Sequence, residues 1–211
     1  GIHELKDRTH TSIRPNLVGK NDPAARHILK FIWRLCAGQA NRSDVKQRPW
    51  QRHTIDLADK AAGKLGADGV RLGDFNDDGL LDITTGWEQG GAIVVYQNPG
   101  PAKAKSAWPS VTVGRVASPE DAVFADLDGD GNLDVVSSCE GRERTMYVHW
   151  APAKRADYLT QSAWTTELVP VTKQKQLWMF AEPAQIDGGT GMELFVSSKG
   201  RNGSIGWLRL P

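Results

Sequence analysis

Two nine-residue runs hold most of the chemistry legible in this 211-residue sequence. The first places Asp74, Asn76, Asp78 and Asp82 around Gly79 and Leu80; the second places Asp126, Asp128, Asp130 and Asp134 around Gly131 and Asn132. Both read D-x-[DN]-x-D-G-x-x-D. Oxygen-bearing side chains at alternate positions let a tight loop turn them inward around one hard cation. Glycine at the sixth position supplies a sharp bend with positive φ. The residue after it, Leu80 or Asn132, offers a backbone carbonyl, and the last Asp closes the shell. Five protein ligands plus water reach the roughly six to eight oxygens that Ca²⁺ takes, whereas Mg²⁺ prefers a tighter octahedron and keeps more of its water. Two Ca²⁺ sites are therefore expected, with Mg²⁺ ranked second. The run with four carboxylates should bind more tightly than the run in which Asn76 replaces one, both in the roughly 10⁻⁴–10⁻³ M range of extracellular modules.

Like charges this dense repel one another in a compact loop, which argues against plain solvated turns. An EF-hand opens the same way but needs a bidentate Glu at its twelfth position. Thr85 and Ser137 stand there, and the flanking residues read as strands, not helices. A third run, Asp187-Gly-Gly-Thr190-Gly191-Met-Glu193, reads as a decayed copy two residues shorter. Glu193 takes the place of Asp82 and Asp134, glycines and Thr190 stand where inner carboxylates should be, and no metal is expected there.

These turns sit inside a repeat. A tryptophan leads a short alternating segment at Trp50–Ile55, Trp108–Val113 and Trp164–Val169, at spacings of 58 and 56 residues. An aromatic-containing segment stopped by proline recurs at Ile93–Tyr96, Met146–Trp150 and Ile205–Leu208. Segments entering the acidic turns (Gly69–Leu72, Ala122–Phe124) and leaving them (Leu81–Thr85, Leu133–Val136, Leu194–Val196) are apolar and rich in β-branched residues, as strands are. Four short strands per 50–60 residues is about the size of one β-propeller blade. The expected organisation is all-β, a partial β-propeller of about three four-stranded blades over residues 48–104, 105–157 and 158–211. Residues 1–47 do not fit the period and form a basic extension, with one short amphipathic helix expected around His27–Cys36.

Composition excludes several classes. Lys plus Arg total 26 against 25 Asp plus Glu, a balance unlike that of a protein gripping a nucleic-acid backbone. It conceals a split, because residues 1–53 carry 11 Lys/Arg against 4 Asp/Glu and the remainder is acidic. No uncharged apolar stretch approaches the ~20 residues needed to span a bilayer. Cys36 and Cys139 make no framework and no metal-binding spacing; Cys139, at a strand end, is expected to be a small buried residue.

At the two aspartate runs and the strand segments beside them, the sequence resembles the FG-GAP/VCBS repeat family of integrin-α-like calcium-loop blades, found also in secreted bacterial proteins. The resemblance covers about residues 48–211. It departs from the name motifs, with Leu72-Gly73 and Phe124-Ala125 at the Phe-Gly position and no Gly-Ala-Pro. It implies a β-propeller with Ca²⁺ loops on its rim and a role in adhesion or ligand binding. Closed propellers have typically about 4–8 blades, so three repeats imply a fragment of a larger propeller or self-association.

The function expected is a non-catalytic calcium-binding module, extracellular or periplasmic because loops of this affinity fill where calcium is millimolar, with a protein or carbohydrate ligand. The alternative is part of a propeller-based polysaccharide lyase or sugar dehydratase. Such chemistry needs a base and often an imidazole near it, and the five histidines show no metal-type spacing. His149 is the best candidate for a site, with Glu182 and Arg142 lacking identifiable partners; no catalytic constellation assembles. Trp87 and Trp178 read as packing residues before sugar-stacking ones.

Overall fold

The computed structural model describes residues 49–189 and 192–209. The basic extension 1–47 and its expected helix lie outside the described residues, as do Thr190 and Gly191. The chain divides into two compact units, Gly1–Arg52 and His53–Pro211; all strands below belong to the second. They form three antiparallel sheets. The first contains β1 (Ala67–Gly73), β2 (Asp82–Trp87), β3 (Ala92–Tyr96) and β4 (Ser110–Arg115). The second contains β5 (Pro119–Ala125), β6 (Asp134–Cys139), β7 (Met146–Trp150) and β8 (Thr165–Leu168). The third contains β9 (Leu177–Ala184), β10 (Glu193–Lys199) and β11 (Ile205–Leu208). Within each sheet consecutive strands are neighbours, as short hairpin links require. Among the described residues there is no α-helix, only single 3-10 turns at Arg155–Asp157, Gln161–Ala163 and Pro170–Thr172.

The all-β, propeller-like arrangement is the one expected, with two differences in detail. Among the described residues the third sheet has three strands, not four. The Trp-led segments close the sheet before them: β4 follows Trp108 and pairs with β3, and β8 follows Trp164 and pairs with β7. The sheets are thus offset from the repeat boundaries read from sequence. The segment led by Trp50 is no strand, and Trp50 is fully exposed. Among the described residues no sheet precedes it, and a lone strand has no ladder to join. Ile55 instead packs against the outer face of the first sheet with Trp108. Asp56 holds it there, accepting from the Tyr96 hydroxyl at 2.9 Å and from Lys64 Nζ at 2.7 Å.

Packing between sheets explains the burial of the strands. The first and second sheets meet through Phe75, Ile93, Val95 and Val113 against Ala122, Phe124 and Val135, with the Phe75 and Phe124 rings stacked at 5.9 Å. Gly73 permits that approach, since a Cβ there would lie 2.7 Å from the Phe124 ring. The second and third sheets meet through Val123, Val136, Met146 and Val148 against Trp178, Leu194 and Val196. The second sheet is covered on both faces, so every residue of β5 and β6 is buried, whereas β1 alternates between exposed and half-buried positions. At the inner strands Arg71 ties all three sheets. Its guanidinium donates from Nε and Nη2 to Asp121 and from Nη1 to Glu182 at 3.1 Å. Glu182 therefore has a structural partner that its sequence neighbourhood did not reveal.

Candidate metal centres

Each β-hairpin that opens a sheet turns through one of the acidic runs. In the second turn Asp126 accepts from the amides of Gly129 (2.9 Å) and Gly131 (3.2 Å). Asp128 accepts from the amide of Asp130 (3.1 Å), and Asp130 from that of Asn132 (2.8 Å). These short local bonds fold the loop on itself, and positive φ at Gly129 (77°) and Gly131 (85°) makes the bend. One carboxylate oxygen from each of Asp126, Asp128 and Asp130 then lies within 4.8 Å of the others. That spacing and all-oxygen donor set suit a hard divalent cation. Asn132 is half-buried, and its side-chain oxygen accepts from the Tyr158 hydroxyl.

The first turn repeats the geometry with one carboxylate fewer. Asp74 accepts from the amides of Asp78 (3.0 Å) and Gly79 (2.8 Å), and Asp78 from that of Leu80 (2.8 Å). Asn76 donates from Nδ2 to Asp78 (3.0 Å), so the amide already supplies one partial positive partner there. Arg155 caps the outside of this turn, donating to the Asn76 carbonyl (3.2 Å) and to Asp77 (3.1 Å).

The closing acids stand apart from the loop carboxylates. Asp82 is fully buried; Oδ2 accepts from the Phe75 amide (3.0 Å) and Oδ1 from the Asn98 amide (2.7 Å). Asp134 is placed the same way, with Leu127 (3.3 Å) and Ala151 (2.9 Å) as donors. Each side chain staples the start of its turn to the loop leaving the third strand. Burial pushes Asp134 up to about 7, against the two amide bonds that favour its ionised form, and pushes Asp82 up as well.

The third turn corrects the alignment read from sequence. Glu193 is buried and accepts from the Ile186 amide at 2.8 Å, seven residues back, as Asp82 does from Phe75 and Asp134 from Leu127. The turn is therefore full length and starts at Gln185, not Asp187. Gln185 accepts from the Gly188 amide (2.7 Å) as Asp126 does from Gly129, and Asp187 accepts from the Gly189 amide (2.9 Å) as Asp128 does from Asp130. The fourth positions, Asp77, Gly129 and Gly188, all have positive φ. Glycine-rich sequence hid this register, because Gln185 carries no charge to mark the start. Arg209 Nη1 lies 2.6 Å from Asp187, so a guanidinium balances the one acid that the loop retains.

A second carboxylate group escaped sequence reading altogether. Glu88, Glu120 and Glu140 bring oxygens within 4.8 Å at the opposite ends of these strands. They come from three separate segments, and no local spacing could signal them. Lys199 pairs with Glu140 at 2.5 Å and draws its carboxyl down, while burial, and then the proton shared with Glu140, pushes Glu120 up to about 7. Lys199 offsets part of that charge. His149 is fully buried, bonded to Ser137 Oγ through Nε2 and to Thr166 Oγ1 through Nδ1, each at 2.9 Å. Burial lowers it to about 3, so it is a neutral core residue out of reach of substrate. Trp87 and Trp178 are buried with their indole N–H groups bonded to the Tyr96 hydroxyl and the Thr172 carbonyl. Cys139 is buried at the end of β6.

Residues 74–137 match the family model of the FG-GAP-like repeat. That stretch is similar to an FG-GAP-like repeat. It runs from the first position of one aspartate turn, through the second, to the middle of β6, so both carboxylate loops lie inside it. No curated protein matches the chain.

Proposed function

We propose that the FG-GAP-like unit is a calcium-binding propeller module, working outside the cell or in a periplasm, that presents a surface to a protein or carbohydrate ligand without catalysis. The observation that carries the reading is the convergence of Asp126, Asp128 and Asp130 within 4.8 Å on a loop of alternating acids. Asp126, Asp128, Asp130 and the Asn132 carbonyl would hold the ion of the second turn, with Asp134 buried behind them. Asp74, Asn76, Asp78 and the Leu80 carbonyl would hold that of the first, with Asp82 behind. Metal bound at such loops is linked to folding and serves order, not turnover. Weak loops of this kind fill where calcium is abundant, which favours a compartment outside the cytosol.

Calorimetric titration tests this. Two Ca²⁺ equivalents per chain are expected, the tighter at the second turn, with weaker Mg²⁺ binding and a calcium-dependent rise in melting temperature. Asp130→Ala should remove one equivalent and leave the other. No heat and no thermal shift at millimolar Ca²⁺ would overturn the reading.

A further inference from the structure

We infer that the link between β7 and β8 couples the first two acidic turns, Arg155 gripping one and Tyr158 the other, so that ordering either turn orders its neighbour. The inference rests on the cation reading above only for the ligand that does the ordering. Arg155 and Tyr158 are held together by one 3-10 turn, in which the Tyr158 amide donates to the Arg155 carbonyl at 3.1 Å. The Tyr158 carbonyl in turn accepts from the buried Trp164 indole N–H at 2.9 Å.

Tyr158 reaches both turns. Its buried ring stacks on Phe75 at 5.1 Å, and the Phe75 amide is one of the two donors to Asp82. Its hydroxyl donates to Asn132 Oδ1. Asn132 passes that contact to the loop acids, donating from Nδ2 to Asp130 Oδ2 at 2.9 Å and from its amide to Asp130 Oδ1 at 2.8 Å. Asp130 is one of the three converging carboxylates. At the other end of the link, Arg155 Nη1 donates to the Asn76 carbonyl and to Asp77. Asp77 offers Arg155 a side chain at the fourth position of the turn, where the second turn has Gly129 and the third Gly188.

The carboxylates of an empty loop repel one another and loosen it. A cation at the first turn fixes Asn76, and with it the carbonyl that Arg155 holds. The link is then ordered, Tyr158 places Asn132, and the second turn closes with less loss of conformational freedom. Binding to a loop already ordered pays less entropy, which gives positive cooperativity without a change of shape. The effect is reciprocal, since each turn must change the other's affinity by the same factor. The Arg155 guanidinium also lowers cation affinity at the first turn by its charge. The telling quantity is therefore the effect of one turn on the other, not the affinity of either.

The test is amide hydrogen exchange in chelator, resolved by residue, followed by calorimetric Ca²⁺ titration, on the full chain with Arg155→Gln and Tyr158→Phe. The Arg155 side chain is 50% exposed and phenylalanine keeps the ring stack, so near-wild-type melting is expected and checks folding. In chelator, Arg155→Gln should speed exchange at Gly131 and Asn132 of the opposite turn, and Tyr158→Phe at Asp78 and Gly79, each at least about fivefold. In calcium, Asp78→Ala should weaken the second turn, and Asp130→Ala the first, again at least about fivefold. Neither loss should occur when Tyr158→Phe is also present. Exchange changes confined to the turn that each residue grips overturn the inference, as do two calcium sites indifferent to each other. Cross-turn exchange effects with no calcium heat would overturn the module reading and support the coupling.

Discussion

The second and third sheets open with the same nine-residue turn, yet only one of them offers a cage. Both fold by the same amide-to-side-chain bonds at the first and third positions, and both bury an acid at the ninth. They differ in what projects into the loop. Asp126, Asp128 and Asp130 converge in the second, while Gln185, Asp187 and Gly189 stand at those places in the third, with Arg209 beside Asp187. The turn and the cage are thus separable. The buried acid and the positive-φ positions make the turn, and the loop acids are an addition to it.

The largest effect should come from the shared element. Asp134→Ala leaves the Leu127 and Ala151 amides without an acceptor, and Glu193→Ala does the same to Ile186. About 1–3 kcal/mol is expected for each buried amide orphaned, measured by denaturant unfolding in chelator. If Glu193→Ala is silent while Asp134→Ala is severe, the two turns are not built alike.

The two sheets should also differ in acid. His149 of the second sheet titrates at about 3 when folded and near its ordinary 6.5 when unfolded. Its contribution is fully present above pH 6.5 and is lost as pH falls toward 3, because the unfolded chain takes up the proton first. No histidine lies in the third sheet. His149→Gln should flatten that part of the stability profile; an unchanged profile would place the acid sensitivity elsewhere.

Grafting sharpens the comparison further. Gln185→Asp with Gly189→Asp and Arg209→Ala should give the third turn a cation site. Calcium at about ten times its Kd would then stabilise the variant by about 1.4 kcal/mol more than wild type, read as an added thermal shift. The smallest effect expected is at the fourth position of the first turn. Asp77 has φ 57° where the other two turns have glycine, and Asp77→Gly relieves that strain at the loss of an exposed pair with Arg155. A net gain under about 1 kcal/mol is expected in melting experiments.

Much of this was legible in sequence, because strands and tight turns are local. Apolar, Trp-led and aromatic segments marked ten of the eleven strands among the described residues, and the spacing of Asp74–Asp82 and Asp126–Asp134 marked the loops. The Trp50 segment misled because its alternation matches that of the segments leading into β4 and β8, and pairing depends on a neighbour that no alternation encodes. The third turn was misaligned because Asp187 is its visible acid, while its first position is a glutamine.

The sequence alone determined the all-β architecture and the oxygen-rich loops, since each rests on residues close together in the chain, and the repeat, since its landmarks recur in the same order at spacings of 58 and 56 residues. Only the tertiary structure decided which acids turn inward and which are consumed by the backbone, that Arg71 joins Asp121 and Glu182, and that Glu88, Glu120 and Glu140 meet. Those depend on burial and on strands brought together from distant parts of the chain, and a carboxylate's partner is set by which amides and charges the packed sheets leave within reach.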